Sequence, residues 1–140
     1  MNHSILVVDD EKDIIDSLER QLRKQYRILK ATSGIDALKI LNTEPVHLIL
    51  SDQRMPEMTG VQLFERAQKI QPEAIRILLT GFTDVESVIA AINTGHIYRY
   101  VTKPWDPTDL DIVIKRALES YDLRAELKEK NKKLEILLEE

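Results

Sequence analysis

The chain has 140 residues and a net charge of −4, with 43% hydrophobic and 31% charged residues, the proportions of one globular domain able to bury its own core. It contains no cysteine, which excludes disulfides, thiolate metal sites and cysteine nucleophiles and fits a reducing compartment. No basic block marks a nucleic-acid surface, no apolar stretch reaches the roughly 20 residues that span a bilayer, and the opening MNHSILVVDDEKD lacks the basic region and cleavage site of a signal peptide; the expectation is a cytoplasmic protein that binds neither membrane nor nucleic acid directly.

Five apolar runs divide the first hundred residues: ILVV (5–8), YRIL (26–29), HLIL (47–50), IRILL (75–79) and IYRYV (97–101). The first, third and fourth are nearly continuous in Ile, Leu and Val, the pattern of strands covered on both faces. The second and fifth carry Arg and Tyr, which suits sheet edges. Between the runs, apolar residues recur at helical spacing: Ile14, Leu18 and Leu22 in 11–24; Ile35, Leu38 and Leu41 in 33–42; Val61, Phe64, Ala67 and Ile70 in 59–70. The fourth helix, 84–94, has Val85, Val88, Ile89 and Ile92, with Gly95 placed as its C′ residue. The last begins near Pro107, a favoured first-turn residue.

Alternation of strand and helix predicts an α/β fold, a (βα)5 doubly wound parallel sheet with right-handed crossovers. Ligands of such sheets bind at the carboxyl ends of the strands. After run 1 stand Asp9, Asp10 and Glu11; after run 3, Asp52; run 4 ends in Thr80 and Gly81, and run 5 in Thr102, Lys103 and Pro104. Run 2 leads only into Ala31, Thr32, Ser33 and Gly34. With the flavodoxin-like order 2-1-3-4-5, the carboxylates, hydroxyl and ammonium converge on one crevice, and the silent strand lies at the far edge.

Three neighbouring carboxylates repel and stay ionised together only around a cation. Oxygen donors with water suit Mg2+, Mn2+ being the alternative ion. One carboxylate can then attack a phosphoryl group and carry it as an acyl phosphate, with metal, Lys and hydroxyl meeting the developing charge. Each residue alone has a plainer reading: Asp10 as the N-cap of the first helix, Asp52 and Thr80-Gly81 as turn residues, Lys103 as a solvated loop residue. The joint placement separates the two readings.

ILVVDDE, LILSDQRMPEMTG, ILLTGF and YRYVTKPW resemble the signatures of the response-regulator receiver domain of two-component signalling, and the resemblance covers residues 4 to about 120. It implies Mg2+-dependent acceptance of a phosphoryl group from a phosphohistidine on a sensor histidine kinase or phosphotransfer protein. Carried over by position, Asp52 is the phosphoacceptor; Asp10, Asp52 and the Arg54 backbone carbonyl are direct metal ligands; Asp9 acts through water. Thr80 is the switching hydroxyl, Lys103 the lysine that pairs with the phosphoryl group, Tyr100 the aromatic switch, and Lys103-Pro104 a cis bond. Gly81, Arg54 and Phe82 mark the rim, where Phe82 is expected to shield the acyl phosphate from water and Arg54 to tune donor access. The wording SDQRMP, LLTGFTD and AINTGHIYRYVTKPWDP is similar to receivers fused to cyclic-di-GMP phosphodiesterase, phosphatase or transcriptional-activator domains.

The last helical pattern runs on from 107 to 138 without Gly or Pro after Pro107, roughly 48 Å at 1.5 Å per residue. Residues 1–120 are therefore assigned to the receiver and 121–140 to a helical extension. Leu127, Asn131, Leu134 and Leu138 fit the a and d positions of a coiled coil with Asn131 at a. Leu123, Leu127, Leu134 and Leu137 with Lys130 form a second candidate seam, and a solvated helical linker is the third reading. The expectation is a homodimer through this helix, passing the receiver's state to an output domain, the chain being a piece of a longer protein or a stand-alone regulator. The chain is not expected to be an enzyme beyond its own phosphorylation and slow dephosphorylation. A haloacid-dehalogenase-type phosphatase needs an acid two residues after its nucleophile, where this chain has Arg54, and no GxxxxGK[ST] run offers a P-loop.

Overall fold

The computed structural model describes residues 3–81, 85–94 and 96–139. Strands and helices alternate throughout: β1 (Ser4–Val8), α1 (Lys12–Leu22), β2 (Arg27–Ala31), α2 (Gly34–Thr43), β3 (Leu48–Asp52), α3 (Gly60–Ile70), β4 (Ile75–Thr80), α4 (Val85–Asn93), β5 (Arg99–Thr102) and α5 (Pro107–Glu139). All neighbouring strands pair in parallel, in the order β2-β1-β3-β4-β5. This is the expected flavodoxin-like sheet.

β1, β3 and β4 are buried along their whole length, whereas β2 and β5 are largely exposed or half-buried. Period-2 side chains split the core into two layers. Leu6, Val8, Ile49 and Leu78 face Ala37, Leu41, Leu63, Phe64, Ala67 and Val88. Ile5, Val7, Leu50, Ile77 and Leu79 face Ile15, Leu18, Leu22, Leu110, Ile114 and Leu118. Helices α2, α3 and α4 thus cover one face, and α1 and the first turns of α5 the other.

Local chemistry sets the helix starts. Ser33 Oγ accepts from the Asp36 N–H at 3.1 Å, and Asp106 Oδ1 accepts from the Thr108 N–H at 2.8 Å at the head of α5. Thr59 and Gln62 form a reciprocal capping box on α3. The plain reading of Asp10 as the α1 cap fails: the N-cap position is Glu11, with no side-chain cap bond, and the Glu11 N–H donates to Asp9 Oδ1 at 2.8 Å. β2 begins at Arg27, and Tyr26 packs with the α1/α5 layer. Gly95, expected at the end of α4, lies outside the described residues.

At the amino-terminal rim of the sheet, α5 meets the residues that start β1 and β3. His47 Nδ1 accepts the Ser4 N–H at 3.0 Å. The His47 ring makes edge contacts with Tyr121 at 4.9 Å and His3 at 5.1 Å between centroids, and His3 Nε2 lies 2.9 Å from Asp122 Oδ1.

Candidate functional site

The opposite rim carries the acids. β1 and β3 are hydrogen-bonded neighbours, with Val8 in register with Ser51, so the residues following them emerge side by side. Asp9, Asp10 and Asp52 each offer a carboxylate oxygen, all within 4.8 Å of one another. Asp9 and Asp52 are buried and Asp10 is exposed. Lys103, beyond β5, reaches across β4: its Nζ lies 2.7 Å from Asp52 Oδ1 and 3.9 Å from Asp9 Oδ2. Its backbone N–H donates to the Thr80 carbonyl at 2.9 Å, and the Lys103-Pro104 bond is cis.

Burial, the largest cause, raises Asp9 from 3.8 to about 6. The Glu11 N–H opposes this, the Asp52 and Asp10 charges add to it, and Lys103 lowers it. Asp9 Oδ2 is buried and accepts no hydrogen bond, a costly condition for a carboxylate oxygen. A hard cation would relieve both the orphaned oxygen and the mutual repulsion, and three carboxylates suit Mg2+ or Mn2+. The residues present therefore fit such an ion.

The loop after Asp52 is fastened at several points. The Gln53 N–H donates to the Leu79 carbonyl, and its own carbonyl accepts from the Gly60 N–H, both at 3.1 Å. Gln53 Oε1 accepts the Val61 N–H at 3.0 Å. Met55 and Met58 are buried in the α2–α4 layer. Between them the Met58 N–H donates to the Pro56 carbonyl at 2.8 Å, around Glu57 at φ 68°. This is a γ-turn of the positive-φ kind. At Gly60 a Cβ would stand 2.5 Å from the Asp52 carbonyl oxygen and 2.5 Å from Leu78 Cδ1.

Of the residues expected from sequence, Asp9, Asp10, Asp52 and Lys103 come together. Thr80 is buried at the end of β4, where its hydroxyl donates to the Gly81 carbonyl at 3.2 Å. Tyr100, in register with Leu78, is half-buried against the α2–α4 layer. Arg54 is exposed, and Phe82 lies outside the described residues. Sequence reading missed Gln53, for which no local pattern existed. It also passed over the Thr59/Gln62 capping box, whose spacing was visible and marks where the loop ends.

The chain is also similar to known proteins over most of its length. Residues 5–115 match the response regulator receiver domain. The hydrogenase transcriptional regulatory protein HoxA of Bradyrhizobium diazoefficiens is 41% identical over 123 residues, 88% of this chain and 25% of that protein; the chain thus spans about a quarter of the length of the curated relatives it matches. Among solved structures, an adenylate cyclase from Rhodopirellula baltica superposes with a TM-score of 0.91 at 31% identity, covering 95% of this chain and 99% of that one. The signal receiver domain of an HD domain-containing protein from Pseudomonas fluorescens does so at 0.82 and 36%, covering 87% and 98%. Sheet order, clustered acids, the lysine after β5 and these matches agree, and the chain belongs to the response regulator receiver family.

Proposed function

We propose that the chain accepts a phosphoryl group from a phosphohistidine of a sensor kinase or phosphotransfer protein onto Asp52, with Mg2+, and relays the change to an output. The observation that carries this is Lys103 Nζ at 2.7 Å from Asp52 Oδ1 beside the three-carboxylate cluster. An Asp52 oxygen attacks phosphorus, the P–N bond breaks, and the imidazole leaves with the bonding electrons. Asp9, Asp10, Asp52 and the Arg54 carbonyl are the groups that would hold the metal, which neutralises charge on the transferring phosphoryl. Lys103 trades its carboxylate partner for a phosphoryl oxygen. The Thr80 hydroxyl turns from the Gly81 carbonyl to donate to another, and Tyr100 follows it inward, which changes the surface of α4, β5 and α5.

The C-terminal helix takes the altered state onward as part of a homodimer. Transcriptional regulation and nucleotide cyclisation are named for relatives longer than this chain or for solved structures; an output of that class is the proposed target. The proposed setting is the cytoplasm; among the described residues no helix is long and apolar enough to cross a membrane.

Incubation with acetyl phosphate and Mg2+, read by intact mass, tests the chemistry. The expected result is an adduct of about 80 Da that is absent in Asp52→Asn and absent without divalent cation. An adduct that persists in Asp52→Asn removes the assignment.

A further inference from the structure

The C-terminal helix shows two different faces. Tyr121, Ala125, Lys128 and Lys132 line one cavity together with Glu73 of the receiver, Lys128 Nζ is 3.4 Å from Glu73 Oε1, and Tyr121 rests on His47. That face is turned to the chain's own sheet. At roughly 100° per residue, Leu127, Asn131, Leu134 and Leu138 lie about 120° around the helix from it. These leucines are 60%, 56% and 85% exposed, and the receiver leaves their face clear for a second helix.

We infer that two copies of the chain pair these helices in parallel and in register, with Leu127 and Leu134 at d and Asn131 and Leu138 at a. The inference rests on the proposed homodimer and specifies how its helices meet.

Charge favours this seam over the other. With Leu127 at d, Lys130 falls at g and Glu135 at the following e. In a parallel pair Lys130 of each copy stands beside Glu135 of the other. Within one chain Lys130 pairs with the exposed Glu126, at 3.2 Å, a contact easily exchanged. The seam through Leu123, Leu127, Leu134 and Leu137 places Lys130 in the interface core, where its ammonium would be desolvated without a partner. It also puts Glu126 beside Asn131 and Lys133 beside Leu138, with no complementary charge.

Asn131 decides the direction. In a parallel pair, a faces a, so the two Asn131 amides hydrogen-bond each other. Antiparallel pairing sets Asn131 against Leu134, leaving a buried amide unpaired.

The chain has no cysteine, so single cysteines report the geometry. The variants Leu134→Cys and Leu138→Cys of the full chain are oxidised and run without reductant, while sedimentation gives the mass of the unmodified chain. The inference expects a dimer whose disulfide forms readily at each site. Lys130→Glu should raise the dissociation constant several-fold, and Lys130→Glu with Glu135→Lys should restore it. Leu134→Glu with Leu138→Glu should give a monomer that still takes the phosphoryl adduct, since both positions are solvent-exposed and remote from the receiver. A monomer at all concentrations to about 1 mM overturns the homodimer and this inference together. A dimer in which neither Leu134→Cys nor Leu138→Cys forms a disulfide, but in which Asn131→Cys cross-links to Leu134→Cys in mixtures, overturns only the parallel arrangement. A dimer that survives Leu134→Glu with Leu138→Glu places the interface on another face and overturns the seam.

Discussion

Replacing Asp9 by Asn removes one charge from the crowded site while keeping its shape. The Glu11 N–H that donates to Asp9 Oδ1 at 2.8 Å can still donate to an amide oxygen. Without divalent cations, the folded chain holds the Asp9 proton to about pH 6, whereas the group's ordinary value is 3.8. Between these values the folded state binds the extra proton, so stability falls as pH rises, and the full cost is present above about 6. A shift of about 2 units at 1.36 kcal/mol each gives a cost of up to about 3 kcal/mol. Asp9→Asn lacks the titrating group. Its stability relative to the wild type should therefore climb by about 2–3 kcal/mol from pH 4 to pH 8, or about 10 °C in Tm. Urea unfolding in EDTA across that range measures it. Saturating Mg2+ should reverse the ranking at pH 8, because the ion favours ionised carboxylates and Asp9→Asn offers one fewer. A difference between the two proteins that stays constant with pH would falsify the assignment of the strain to Asp9.

Three further outcomes follow from particular contacts. Gly60→Ala drives a Cβ to 2.5 Å from the Asp52 carbonyl and from Leu78 Cδ1; a loss of about 2–3 kcal/mol is expected, and an unchanged urea midpoint would show that the loop yields freely. Glu57 sits at φ 68°, so Glu57→Gly should be neutral or up to about 1 kcal/mol stabilising, while Glu57→Val should cost at least about 1 kcal/mol; equal losses in both variants would contradict the turn. Burial lowers His47 from 6.5, His3 adding to this and Asp122 opposing it, so its contribution is present above 6.5 and is lost as pH falls through the folded value. Nitrogen-15 spectra should show a neutral His47 with its proton on Nε2 at pH 6.5, and a protonated ring at that pH would refute the Ser4 hydrogen bond.

The sheet and its chemistry were readable from sequence for the same reason. A parallel strand covered on both faces must be continuously apolar, so β1, β3 and β4 stood out, and the first polar residues after them had to lie at the crevice. The polar character of β2 and β5 likewise marked the edges. The features that stayed hidden depend on contacts distant in sequence or on backbone angles. Nothing local to Gly60 reports the Leu78 methyl beside it. Glu57 is an ordinary residue type at an unusual φ. The cluster of His3, His47 and Asp122 joins residues up to 119 positions apart. Capping was legible in principle, since the Thr59/Gln62 spacing is local.

The long helix raises a question of stability that its contacts answer only in part. Leu110, Ile114, Ala117 and Leu118 anchor its first turns in the core. At Tyr121 the hold thins to partial burial against the α1/α5 layer and an edge-on contact with His47, the ring contact worth about 0.5–1.5 kcal/mol. Beyond it come the Asp122–His3 and Lys128–Glu73 contacts, largely solvent-exposed and each worth about 0–1 kcal/mol. From there to Glu139 the helix has its propensity and the Glu126–Lys130 and Glu129–Lys133 pairs, at about 0.3–0.5 kcal/mol each. An isolated segment of that length is marginal in water, and it would leave Leu127, Leu134, Ile136, Leu137 and Leu138 exposed. A second helix laid along Leu127, Asn131, Leu134 and Leu138 would remove the three seam leucines from water and stabilise the turns the receiver does not reach. The weakening grip along the helix and the apolar seam thus bear on one proposal: the receiver fixes where the helix begins, and the proposed second copy would fix where it goes.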